Sequence, residues 1–169
     1  MARPSGGCGA SAGVMLTLRP VVDADVAWLD GWLTSVAASV AYGGVSGAGP
    51  GLSLVERMRV ERSLRARIIV RDGDDTGLVV YRVDAPRRRS AIIEIIATPP
   101  EQARRGSGMS AASAVEDELR AAGVRVVYAP APAVHGIATY FWIRLGYGPR
   151  LRAEWPCERA GVAWLAREL

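Results

Sequence analysis

The stretch SAIIEIIATPPEQARRGSGMS, Ser90 to Ser110, decides how the rest of the chain is read. Ile92, Ile93, Ile95 and Ile96 crowd β-branched side chains into one short run, which favours a buried strand over Ser90 to Ala97. Pro99 and Pro100 cannot continue a ladder, so the strand stops there. Two glycines, Gly106 and Gly108, follow Arg104 and Arg105 and open a helix expected over Ser107 to about Ala122, with Gly123 as its stop. A glycine turn at the start of a helix exposes backbone N–H groups at the positive end of the helix dipole, which suits an anion such as a pyrophosphate.

Upstream, Met15 to Arg19 alternates apolar and polar residues and reads as a first strand closed by Pro20. Asp23 is placed to cap a helix carrying Val26, Ala27, Leu29, Trp32 and Leu33 at helical spacing. Glycine dominates Ala41 to Ser53, a loop suited to handling a substrate. A second helix is expected over Leu54 to Arg65, with Leu54, Val55, Met58, Val60 and Leu64 inward. Ala66 to Arg71, Gly77 to Val83 and Ser90 to Ala97 then form an antiparallel meander, turning first at Asp72 to Asp75. Arg87, Arg88 and Arg89 fall on a hairpin tip and read as solvated.

Downstream, Val124 to Ala129 is a strand, and strand, turn, helix, strand is a crossover that sets it parallel to Ser90 to Ala97. A helix over Ala133 to Leu145, a strand near Arg150 to Trp155, a break at Pro156 and a final helix containing Val162, Leu165 and Leu169 complete the expectation. The fold class is α/β (α+β).

A chain of 169 residues, half of them hydrophobic, is long enough for one sizeable core. All 21 basic residues are arginine, which fits coding bias better than polyanion recognition, and a net charge of +4 disfavours nucleic acid as a partner while leaving room for one anionic ligand. Cys8 and Cys157 form no metal-ligand spacing, Cys157 reads as a packing residue, and a reducing cytoplasm is the simpler setting. No apolar run reaches the length of a membrane span. Residues 1–14, rich in Gly, Ala and Ser, read as a flexible tail before a single domain over 15–169.

The order of parts, a glycine turn after the fourth strand, then helix, strand and the run His135 to Tyr147, resembles the GNAT superfamily of acyl-CoA-dependent N-acetyltransferases over about residues 15 to 155. The resemblance implies a mixed, mostly antiparallel sheet of six to seven strands flanked by helices, here with an added C-terminal helix. Gly106 and Gly108 match the family's pyrophosphate turn, while Ala103 stands where the family has Gln or Arg. Ala138, Phe141, Gly146 and Tyr147 match a second signature, with His135 in place of Asn and Trp142 in place of a tyrosine that protonates the leaving thiolate. By the same resemblance acetyl-CoA is the acyl donor, contacted by Ile96, Ala97, Thr98, Arg104, Arg105, Gly106, Ser107, Gly108, Met109 and His135, with no metal and an amine as acceptor.

Glu94, alone among isoleucines, stands where the family often has a catalytic base; an outward-facing glutamate or a structural ion pair with arginine is the other reading. Tyr140 or water replaces the missing acid, or no strong acid is needed because a thiol with a pKa of about 8.5 leaves readily as thiolate. His135 reads as a cap or cofactor contact before a catalytic group. Asp23, Asp25, Tyr42, Glu56 and Glu61 are open to roles in recognising a cationic acceptor. A non-catalytic acyl-CoA sensor is the alternative function, and a homodimer is left open.

Overall fold

The computed structural model describes residues 15–37, 50–103, 105–133 and 136–169. Seven strands form one sheet in the order β1-β2-β3-β4-β5-β7-β6. The strands are β1 (Leu16–Pro20), β2 (Leu64–Arg71), β3 (Asp74–Val83), β4 (Ser90–Ala97), β5 (Val126–Pro132), β6 (Gly148–Pro149) and β7 (Val162–Glu168). β1 to β4 are an antiparallel meander, β4 and β5 run parallel, and β7 pairs antiparallel with both β5 and β6.

Among the described residues four α-helices cover the two faces. α1 (Val26–Ala37) and α2 (Pro50–Val60) bury Leu29, Trp32, Leu33, Leu54 and Val55 against Leu64, Ala66, Ile68, Leu78 and Val80. α3 (Ser107–Ala121) and α4 (Gly136–Arg144) pack the other face, where Ala111, Ala112, Val115, Leu119, Trp142 and Leu145 meet Ile69, Val79, Ala91, Ile93, Val127 and Leu165. Small residues at Ala111 and Ala112 let α3 lie close on the sheet. No helix among the described residues is long and apolar enough to cross a membrane.

The end of the chain departs from expectation. Val162–Glu168 is a strand, not an added helix. Trp164 faces a small cluster with Ile92, Tyr128 and Ala166, while Leu165 faces the α3/α4 core, so adjacent residues are buried on opposite faces. A strand covered on both sides loses its alternation and imitates an apolar helix segment. The strand expected near Arg150 to Trp155 is a 3-10 turn at Arg152–Glu154, and only Gly148–Pro149 joins the sheet. Leu64, expected on the second helix, belongs to β2, and its burial follows the period of a strand. The glycine loop overlaps α2, which begins at Pro50; its remainder over 41–49 lies outside the described residues.

Two smaller readings also change. Asp25, not Asp23, caps the entry to α1: its carboxylate accepts the Val22 N–H at 2.9 Å and the Arg19 guanidinium at 2.8 and 2.9 Å. Asp23 accepts from Arg59 at 2.6 Å. Cys157 is exposed, and its contribution to packing is its carbonyl, which accepts the Trp164 indole N–H at 2.9 Å.

Buried polar contacts lock α3 to the sheet. The Tyr147 hydroxyl donates to Glu116 at 2.8 Å, and Arg167 donates to the other oxygen of Glu116 and to the Leu145 carbonyl, both at 2.8 Å. The Tyr81 hydroxyl donates to Glu118 at 2.8 Å. Burial, followed by the hydrogen bond to Glu118, pushes the Tyr81 hydroxyl up to about 12; burial and the Glu116 charge raise Tyr147 as well. An unfolded tyrosine releases its proton near pH 10. Stability from these two groups is therefore complete below about pH 10 and is lost as pH climbs toward the folded values. In a phenolate absorbance titration, Tyr81 and Tyr147 are expected to ionise only with unfolding; reversible ionisation of every tyrosine near pH 10 in the folded protein would contradict it.

Candidate functional site

Parallel pairing between β4 and β5 runs through only three rungs, Ser90 with Val126, Ala91 with Val127 and Ile92 with Tyr128. Beyond Ile92 the two strands no longer pair, although β4 continues to Ala97 and β5 to Pro132. Each keeps its outer partner, β3 for β4 and β7 for β5. The sheet therefore opens into a V beyond Ile92, where β4 and β5 no longer exchange ladder bonds.

A β-bulge shapes one wall of the V. Tyr81 lies opposite Ile93 and Val80 opposite Ile95, so Glu94 is an extra residue on β4. The bulge resets the alternation: Ala91 and Ile93 face the α3/α4 core before it, whereas Ile95 and Ala97 face the α1/α2 core after it. Glu94, opposite in alternation to Ile93, faces α2 on the same side as Ile95 and is only 6% exposed. Arg82 Nε donates to Glu94 Oε1, and Arg57 Nη2 approaches Oε2 at 3.4 Å. Glu61 closes the ring, at 2.5 Å from Arg82 Nη1 and 3.2 Å from Arg57 Nε.

Burial works against the Arg82 charge, but Glu94 and then Glu61 outweigh it and hold the guanidinium above its usual range. Burial likewise pushes the Glu61 carboxyl up, and the hydrogen bonds from Arg57 and Arg82 outweigh this, leaving it below the ordinary carboxylate value. Two arginines and two glutamates thus stand together beside the V. The signal in the sequence was present but faint: Arg82 and Glu94 are isolated charges in neighbouring apolar strands.

At the far end of β4 the chain passes through Thr98, Pro99 and a 3-10 turn at Pro100–Gln102 to the glycine turn. Gly106 has φ +81°, the left-handed conformation that favours glycine, and no side chain among the described residues caps α3. The N–H groups of the first turn, at Ser107, Gly108 and Met109, have no carbonyl four residues back within the helix. Ser107 is buried, Arg105 and Gly106 are exposed, and Gly108 lies against Ile96 and Phe141. Ile96 and Thr98 are half-buried and Ala97 is buried along the β4 wall. Arg104 and His135 lie outside the described residues.

The candidate acid, Tyr140, is 62% exposed on α4, with the Arg144 guanidinium 5.9 Å from its ring centre. Trp142 is buried between Phe141 and Tyr147, with ring centres 5.0 and 4.9 Å apart. Of the residues considered for the acceptor, Glu61 joins the ion-pair ring, Asp23 and Asp25 pair with arginines elsewhere, Glu56 is exposed, and Tyr42 lies outside the described residues. An open depression lined by Asp84, Arg88, Arg89, Ala122, Gly123 and Val124 lies at the opposite end of α3, where the helix dipole disfavours an anion.

No protein-family model matches this sequence, and no curated protein matches it. Solved structures do match its shape. An acetyltransferase of the GNAT family from Staphylococcus aureus Mu50 superposes with a TM-score of 0.72 at 9% identity, over 91% of this chain and 99% of that one. The chain carries the GNAT fold. An acetyltransferase from Thermus thermophilus gives a TM-score of 0.72 at 19% identity, over 91% of this chain and 97% of the other. A spermidine N-acetyltransferase from Vibrio cholerae, solved with CoA and spermine, gives 0.72 at 15% identity, over 90% and 95%. At these identities the likeness is one of fold.

Gly77 was not singled out from sequence, yet it fixes the β4 wall. A Cβ there would meet the Ala97 carbonyl oxygen at 2.6 Å and Ile69 Cδ1 at 2.9 Å. Gly77→Ala is expected to destabilise the protein by about 1 to 3 kcal/mol in urea unfolding. Unchanged stability would mean that the Ala97 peptide yields without cost.

Proposed function

We propose that this protein is an acyl-CoA-dependent N-acetyltransferase that transfers an acetyl group directly to an amine. The observation that carries the reading is the V between β4 and β5 with the uncapped, glycine-containing start of α3 at its end. A V whose strands have stopped pairing with each other suits an extended pantetheine arm, and the first turn of α3 suits a pyrophosphate. In this reading Gly106, Ser107, Gly108 and Met109 hold the pyrophosphate, and the resemblance adds Arg104, Arg105 and His135 as donor contacts. The backbone of Ile96, Ala97 and Thr98 pairs with the arm and polarises the thioester oxygen.

The arm then runs back along β4 toward the bulge, which brings the thioester near Glu94. The acceptor amine approaches from the α1/α2 face, where the Arg57, Glu61, Arg82 and Glu94 ring stands. Attack by the neutral amine releases a thiolate, whose parent thiol has a pKa of about 8.5, so departure makes little demand on a protein acid. This suits an enzyme in which Trp142 is buried and Tyr140 is exposed. Both oxygens of Glu94 are engaged by guanidinium groups, which supports a role in fixing the acceptor wall over one as a free base. The same feature favours a second reading, an acyl-CoA sensor without turnover.

Calorimetric titration with acetyl-CoA, followed by thiol release over a panel of amines, tests both readings. Binding with thiol release from at least one amine is expected. Absence of binding would sink the acyl-CoA reading, and binding without release from any amine would leave the sensor. Glu94→Gln separates the two roles of that residue. As the anchor of a partly exposed ion-pair ring it is expected to cost about 2 kcal/mol of stability. Turnover should then fall by a similar factor at every pH, whereas a loss concentrated at low pH would identify Glu94 as the base.

A further inference from the structure

Arg71, the last residue of β2, belongs to neither motif of the resemblance, yet it touches the glycine turn twice. Its Nη1 donates to the Arg105 carbonyl at 2.6 Å and to Ser107 Oγ at 3.3 Å. The sequence separations are 34 and 36 residues, so these contacts exist only because α3 crosses the meander. Ile69 faces the α3/α4 core, and alternation along β2 turns Arg71 to that same face, over the end of the sheet where α3 begins.

We propose that Arg71 is a positioning residue for the donor, holding the glycine turn with its N–H groups aimed at the pyrophosphate of acyl-CoA. The assignment rests on the acyl-CoA reading above and adds a residue to it. The Arg105 carbonyl and the Gly106 N–H belong to one peptide unit. A guanidinium on the carbonyl fixes the plane of that unit and draws electron density from its N–H, which makes the N–H a stronger donor to an anion. Its second bond, to Ser107, ties the next residue of the same turn. The turn is otherwise costly to hold: Gly106 sits at φ +81° and loses much backbone freedom on ordering, and no side chain among the described residues caps α3.

Ala103 supplies no hydrogen-bonding group where the resemblance places a Gln or Arg. Arg71 brings a cation to the same turn from another element of the fold. Its charge, close behind the bound phosphates, adds attraction that a neutral residue cannot supply.

The test compares wild type, Arg71→Gln and Arg71→Lys in titrations with CoA, and in thiol release from acetyl-CoA and from S-acetylpantetheine, which has no pyrophosphate. CoA is expected to bind Arg71→Gln about tenfold more weakly, the loss typical of a charge-assisted hydrogen bond. Arg71→Lys should recover part of that loss, since it keeps the charge without the planar fork. In thiol release, KM for acetyl-CoA should rise in Arg71→Gln with kcat little changed, while kcat/KM for S-acetylpantetheine stays at the wild-type value. Unchanged CoA affinity in Arg71→Gln would overturn the proposal, as would an equal loss with both donors. If Arg71→Gln fails to fold, the same donor comparison in Arg71→Lys decides. Failure of wild type to bind CoA would instead reject the acyl-CoA reading itself, before any variant is compared.

Discussion

The three-rung contact between β4 and β5 is the constraint on which the rest of this structure depends. Two strands joined at one end and parted at the other give up their mutual ladder inside a folded sheet, an arrangement that persists only if other elements hold the strands apart. β3 and β7 do so by pairing along the outer edges of β4 and β5. The core beneath α3 and α4 closes the base of the V, with Ala91, Ile93, Val127 and Ala129 fully buried there. Pro130 and Pro132 on β5 have no N–H to offer a neighbouring strand, which suits a strand that has left its partner.

The bulge at Glu94 sets which side chains line this wall of the V. A regular strand would return Ile95 to the face of Ala91 and Ile93; the extra residue resets the alternation and leaves Ile95 and Ala97 on the α1/α2 side, with the only charged side chain of β4. A carboxylate buried there without partners would be costly, and Arg82 and Arg57 supply them from β3 and α2. The ring couples α2, which precedes β2 in the chain, to the wall of the V. It therefore ties the acceptor side of the proposed site to its donor side by ion pairs, whereas Arg71 connects the meander to the glycine turn by hydrogen bonds.

Much of this was legible from short-range pattern. The isoleucine run, the proline stop and the glycine turn located β4 and α3 to within a residue, because each signal arises from backbone sterics that act locally. The C-terminal strand was not legible. Val162, Leu165 and Leu169 recur as they would on a helix, and only the presence of β5 beside them and cores on both faces makes Val162–Glu168 a strand. Asp25 displaced Asp23 as a cap for a similar reason, since Arg19 on β1 reaches it from outside the local sequence.

The site divides along the same line. By itself the sequence determined that a glycine turn opening a helix follows a buried strand, and that one glutamate stands inside that strand; both depend on residue type and order. Tertiary structure decided what surrounds them. That Glu94 is gripped by Arg82 and Arg57, that Gly77 lies under the Ala97 carbonyl, and that Arg71 holds the turn are all contacts between distant parts of the chain. Charge and size can be read from one residue at a time, but a partner is fixed only when register, twist and helix packing bring two residues to the same place.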